Sequence, residues 1–219
     1  MKKFLVALIM SAIFLTSSIA LAAYEETVGE DVDLTTIKTM AIARPNFYRT
    51  TETEPAFEEF TKLIYSAGRD VSAHKILSYE EIAGAIRRDT GVDIYSLDPL
   101  ESEKVFNANI AKYADTYMVT TVANNSNKPS LFFHVYNAVD SQLLYTYVIQ
   151  SRAIGKNTKD YFKAAEGFYQ KFDVVSAKNL SKEDRKTMEE TREAKENKLK
   201  NKKMTDKKGH SKADLVKKK

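Results

Sequence analysis

The chain has 219 residues, with 34 basic and 30 acidic side chains, three His, and neither Cys nor Trp. Without cysteine there are no thiolate metal sites, iron–sulfur clusters, cysteine nucleophile, disulfides or lipid-modified Cys. At 43% hydrophobic and 11% aromatic residues, the chain can bury one core and carry extensions at its ends.

Residues 1–22 read as a secretory signal peptide. Lys2 and Lys3 precede an apolar run from Phe4 to Leu15, and Ala20-Leu21-Ala22 is an A-x-A cleavage signature. The alternative is an uncleaved anchor helix, because Phe4 to Ala23 is about long enough to span a bilayer. The expected location is therefore the periplasm, with membrane association if the segment is retained. An exported domain without cysteines is held by packing alone. Residues 23–32 read as a linker, 33–175 as one α/β domain and 176–219 as a charged, Lys-rich tail.

Within the domain, Leu34 to Ala43 predicts a buried strand stopped by Arg44-Pro45. Pro55 opens a helix with Phe57, Phe60, Ile64 and Ala67 on one face, and Gly68 is expected at its C′ position. His74 to Leu77 predicts a short strand. Ser78 and Glu81 form a capping box before Ile82 and Ile86, and Gly91 follows that helix. Asp98-Pro99 starts a third helix that places Phe106, Ile110 and Tyr113 on one face. Three strands come next: Thr116 to Ala123, Leu131 to Asn137 and Leu143 to Gln150. The polar turn Asn124 to Pro129 separates the first two, and Asp140-Ser141 connects the second two. A final helix carries Tyr161, Ala165, Phe168 and Phe172 on one face. The order β-α-β-α-α-β-β-β-α predicts an α/β sandwich with a mixed sheet, ending in an antiparallel hairpin and a helix.

The tail from Asn179 holds 15 basic and 8 acidic residues and no aromatic, whereas residues 4–178 hold 17 basic and 22 acidic, a net of −5. The molecule is an acidic body with a basic tail. Ser181 and Asp184 predict a cap for a charged helix over about 182–200, and the Lys-rich remainder is expected to be disordered.

Two stretches carry a family resemblance. Lys112-Tyr113-Ala114-Asp115 followed by Thr116-Tyr117-Met118-Val119-Thr120 resembles the "helix, Ala-Asp, apolar strand" segment of a family of exported bacterial envelope proteins. Val135-Tyr136-Asn137-Ala138-Val139-Asp140-Ser141-Gln142-Leu143-Leu144 is similar to its V-x-D-A-x-T-G-x-L-L hairpin, and Lys38 to Arg44 fits its opening strand. The family comprises curli-secretion-channel lipoproteins, penicillin-binding-protein-activator lipoproteins and the amino-terminal domain of the Tol-system propeller protein. The resemblance covers about residues 33–175 and implies an α/β domain serving as a non-catalytic partner in envelope assembly. The chain departs from the family in lacking the lipid-attachment Cys and an amphipathic channel-forming insert. Asn137 and Ser141 also replace the usual Asp and Gly-like positions.

Catalytic motifs are scarce. Asp31-Val32-Asp33-Leu34-Thr35 matches a phosphotransferase nucleophile motif, but no buried strand leads into the first Asp. Glu58-Glu59 and Glu80-Glu81 sit in first helical turns, where the dipole favours anions, and Arg87-Arg88 sits near a helix C-terminus. His74, His134 and His210 form no ligand pattern, so no catalytic residue, cofactor or metal is expected. Two surfaces remain. Phe132, His134 and Tyr136 with Tyr145 and Tyr147 form an aromatic face that either lies under a helix or serves a protein partner. The tail, through Lys202, Lys203, Lys207, Lys208, Lys217, Lys218 and Lys219, is either a solubilising extension or a contact for anionic lipid or cell-wall polymer. An exported chain has no nucleic-acid partner.

These features predict a non-enzymatic periplasmic envelope protein, a binding or accessory module with a protein partner of unspecified identity. The alternative is a periplasmic ligand-binding or hydrolytic protein whose site is assembled from residues distant in sequence. The first expectation is directly measurable. Protein isolated from its native host should have an intact mass lacking Met1 to Ala22, and a mass retaining them would overturn the cleavage.

Overall fold

A computed structural model describes residues 23–49, 52, 54–123, 130–150, 157–178 and 180–216. The expected signal peptide, the Asn124 to Pro129 turn and Lys217 to Lys219 lie outside the described residues. In chain order the strands and helices are β1 (Ala23–Val28), β2 (Thr39–Ile42), α1 (Phe57–Val71), β3 (Lys75–Leu77), α2 (Tyr79–Thr90), α3 (Pro99–Asn109), β4 (Thr116–Ala123), β5 (Ser130–Asn137), β6 (Leu143–Gln150), α4 (Thr158–Ser176) and α5 (Lys182–Val216). They form one sheet in the order β1-β6-β5-β4-β2-β3. β2 pairs in parallel with β3 and β4, and the remaining pairs are antiparallel. This is the α/β fold with a mixed sheet that the sequence predicts.

Local chemistry sets the helix ends. Ser78 and Glu81 complete a capping box at α2, and Gly91 closes it in the left-handed region at φ 76°. Asp98 accepts from the Leu100 and Glu101 amides ahead of Pro99, and Asn157 accepts from Asp160 at the start of α4. Asp115 ties the parallel strands together. Its Oδ2 accepts the backbone N–H of Lys38 and Thr39, each at 2.9 Å, at the start of β2.

Four expectations are corrected. Residues 23–28 are not a linker: β1 pairs with β6 from Ala23↔Gln150 to Val28↔Tyr145. The first predicted strand is shorter, because Asp33 caps a 3-10 turn at Leu34–Thr36 by accepting from the Thr35 amide and hydroxyl. That cap also disposes of the phosphotransferase-like motif, since Asp33 is exposed and spent on its own turn. Gly68 does not end α1. It lies within the helix, where a Cβ would come 2.4 Å from the Tyr169 ring of α4. Finally, α5 continues to Val216 instead of fading near residue 200.

The sheet has two faces. On the first, Met40, Ile42, Met118, Leu131, Phe133, Val135, Tyr145, Tyr147 and Ile149 pack under α1 and α4. The predicted stripe Tyr161, Ala165, Phe168 and Phe172 of α4 is wholly buried there. On the second, Ala41, Ala43 and Tyr117 pack under α2 and α3 through Tyr79, Ile82, Ile86 and Phe106.

Where α1 and α4 end, a buried polar joint binds them to α5. Asp173 accepts from Ser72 Oγ at 2.9 Å and from the Ala73 amide at 2.7 Å, and His74 Nε2 lies 3.0 Å from Ser176 Oγ. Lys195 of α5 donates to the Ser72 carbonyl at the C-cap of α1, and Arg185 donates to the Lys178 carbonyl just beyond α4. These cations satisfy carbonyls that a helix end leaves without intrahelical partners. Burial pushes His74 down to about 4 and Asp173 up to about 6.

Three variants probe this packing. Phe168→Ala should cost about 3–5 kcal/mol by opening a cavity, and Gly68→Ala about 1–3 kcal/mol by driving a methyl group into Tyr169. Chemical unfolding reads both, and a loss under about 1 kcal/mol for Phe168→Ala contradicts the packing. The joint predicts a pH signature. His74 gains a proton on unfolding between pH 6.5 and about 4, so its contribution is lost as pH falls. Asp173 holds its proton in the native state between about 6 and 3.8, so its contribution grows as pH falls. The two oppose each other. Asp173→Asn should therefore lose about 3 kcal/mol more than the wild type on going from near-neutral to acid pH. Parallel pH slopes for the two proteins would overturn the assignment.

Candidate functional site

The five residues expected on one aromatic face are divided between two. Register places Phe133 opposite Tyr147 and Val135 opposite Tyr145, while His134 lies opposite Thr146 and Phe132 opposite Val148. Side chains directly opposite each other share a face. Tyr145 and Tyr147 therefore belong to the core beneath α4, where Tyr145 donates to Glu26 Oε2 at 3.3 Å. Phe132, His134 and Tyr136 remain together on the second face.

There they meet Val119 and Thr121 of β4 and Thr146 and Val148 of β6. Helices α2 and α3 cover this face over β2, β3 and β4, and Tyr136 at the far end of β5 packs against the same cluster. Phe132 and His134 of β5 belong to neither core cluster of the described residues. The three side chains form an aromatic row. Phe132 stacks on His134 with ring centroids 5.9 Å apart, and His134 lies 6.3 Å from Tyr136. Tyr136 stacks at 5.3 Å on Tyr117, which meets Phe106 edge-on at 5.8 Å. The row thus runs from outside both clusters into the second core.

Beside the row a cleft of about 260 Å³ opens outside the carboxyl end of β2. One wall is the segment that follows β2, Ala43 to Tyr48, and the other is α3 with Ser102, Glu103, Phe106 and Asn107. Asn46 bridges to Thr121, which fixes the first wall along β4. The Tyr79 hydroxyl and Ser102 Oγ lie 3.0 Å apart in the cleft's interior. Arg44 holds its guanidinium 5.2 Å from the Phe57 ring centroid. Tyr48 is 84% exposed at the mouth.

The electrostatics follow from burial. It lowers the His134 pKa below the usual imidazole range, leaving the ring neutral at physiological pH. It also raises the Tyr136 hydroxyl, with smaller contributions from Tyr117 and the Glu103 carboxylate. Among the described residues no group of three His, Asp or Glu could hold a metal ion. The backbone at Lys202, Lys203, Lys207 and Lys208 belongs to α5, but their side chains lie outside the described part, as do Lys217, Lys218 and Lys219. Sequence reasoning missed Arg44, Tyr48, Glu103 and Tyr117 as cleft residues. The available signal was Arg44-Pro45-Asn46 directly after a buried strand, where α/β sheets bind ligands.

Comparison with protein-family models gives no match, and no curated protein matches the chain. Solved structures similar to it include the LpoB C-terminal domain from Escherichia coli, at 12% identity and a TM-score of 0.40, over 65% of this chain and 92% of that one. The PelC dodecamer from Paraburkholderia phytofirmans is similar at 10% identity and a TM-score of 0.37, over 71% of this chain and 96% of that one. A lipoprotein from Neisseria meningitidis is similar at 10% identity and a TM-score of 0.31, over 65% of this chain and 99% of that one. All three are likenesses at low identity.

Proposed function

We propose that the chain is a non-enzymatic, exported envelope protein, a binding or accessory module. Its protein-docking surface is the half-face built on Phe132, His134 and Tyr136. The observation that carries this reading is the aromatic row whose outer members, Phe132 and His134, stack on each other outside both core clusters. Partially buried aromatic side chains beside an apolar floor (Val119, Val148) are the composition that protein partners cover. Export rests on the basic start, the apolar run and the A-x-A signature. The non-enzymatic reading is supported by the placement of Ser176 and His74. A serine within hydrogen-bond reach of a neutral imidazole suggests nucleophilic chemistry, but the two are 1% and 6% exposed, closed to a substrate. The Lys-rich end provides a second, salt-sensitive contact with anionic lipid or cell-wall polymer.

A photo-crosslinking residue at His134, compared with one at exposed Lys62 on α1, tests the surface in the native host. The expected result is a discrete adduct from position 134 only, lost when Phe132→Ser is added and the melting temperature is retained. Identical adducts from both positions, or none from 134, would reject the docking surface.

A further inference from the structure

The cleft sits where the chain changes sides. From β2 it leaves to α1 on the first face, and from the neighbouring parallel strand β3 it leaves to α2 and α3 on the second. A crevice therefore opens outside the carboxyl ends of these strands, the general ligand position of open α/β sheets. Its chemistry is asymmetric. Glu103 is the one carboxylate among the described lining residues, and its charge acts on the Tyr136 hydroxyl. Arg44, the one cation among the described lining residues, is held over the Phe57 ring of α1.

Tyr117 adds a second pointer. Its side chain is only 5% exposed and lines the cleft, and among the described residues no hydrogen bond is formed by its hydroxyl. Its ring is fixed between Phe106 and Tyr136, so the hydroxyl cannot be withdrawn without breaking both contacts. A tyrosine hydroxyl and a carboxylate in one cleft lining offer two acceptors to an N–H donor. Ala43, Val119 and the Phe106 edge supply an apolar floor for a short alkyl stem.

We propose that this cleft binds a lysine side chain, presented by a basic segment of the protein that docks on the adjoining sheet face. The ammonium donates to Glu103 and to the Tyr117 hydroxyl, and the four-carbon stem lies on the apolar floor. A compact ammonium with three donors suits two acceptors that do not form a planar fork. The net charge of −5 over residues 4–178 draws such a segment toward the body. The proposal rests on the docking reading for the origin of the lysine, but not for the chemistry of the cleft.

The test uses the purified mature chain and small probes, read by amide chemical shifts of cleft residues. n-Butylammonium should shift Tyr117, Glu103 and Val119, with affinity on the order of millimolar for so small a probe. n-Butanol and n-butyrate, which share its stem, should bind far more weakly, and n-butylguanidinium at an intermediate level. Glu103→Gln should weaken n-butylammonium about tenfold and leave n-butanol unchanged, because it removes a charge-assisted bond at an exposed position. Tyr117→Phe should weaken it about threefold, the smaller loss expected of a neutral acceptor. Equal binding of n-butanol, or a Glu103→Gln protein that binds n-butylammonium as the wild type does, would overturn the proposal. Either failure would leave the His134 crosslink untouched, so the two readings fall separately.

Discussion

The contact on which the rest depends is Phe168 of α4 against Phe133 of β5, stacked with ring centroids 4.6 Å apart. Phe168 also meets Tyr145, Tyr147, Tyr169 and Phe172. A strand alternates faces every residue, so seating Phe133 beneath α4 necessarily places Phe132 and His134 on the other side. A slip of one residue would bring His134 under α4 and expose Phe133, an exchange that burial energy strongly opposes. The open aromatic row is therefore a direct consequence of how the first face is packed.

Most helices were legible because their ends are written in short-range chemistry. Ser78 with Glu81, Asp98 with Pro99 and Gly91 at φ 76° each do a local job that a window of four residues reveals. What failed was long-range. β1 reads Ala-Tyr-Glu-Glu-Thr-Val, with too few apolar residues to signal a strand, and only pairing with β6 orders it. The acidic pair Glu25-Glu26 also suits an edge, since like charges discourage a second copy from adding to the sheet. The two tyrosines of β6 alternate correctly in sequence, but which face they take depends on cross-strand register. That register passes through an irregularity between Val135 and Tyr136. Composition marks Gly68 as a helix stop, whereas its role is to admit the Tyr169 ring, a neighbour about a hundred residues away.

The docking of α5 shows a different economy. Its inward stripe, Met188, Arg192, Lys195 and Leu199, contains only two apolar side chains, and all four are half-buried. Hydrophobic burial alone would hold such a helix poorly. Instead Lys195 and Arg185 bring positive charge to carbonyls at the ends of α1 and α4, which finish side by side. The dipoles of both helices place partial negative charge at that point, and burial has already raised the cost of the Asp173 carboxylate there. A basic helix is what this end of the body attracts. No pattern within residues 182–216 announces it, because the acceptors belong to other elements.

Topology also explains why the row stays open. Two helices, α2 and α3, cross from β3 to β4 over the second face, and they cover the strands they connect. β5 and β6 are joined by a hairpin, which places no helix on either face. After β6 the chain returns through α4 to the first face, where the larger aromatic cluster lies. Nothing in this path brings a described helix over His134. Its neighbours on that half include Thr121, Thr146 and Thr27, whose hydroxyls tolerate water, interleaved with Phe132, Val119 and Val148. The aromatic row leads directly to the cleft wall at Tyr117.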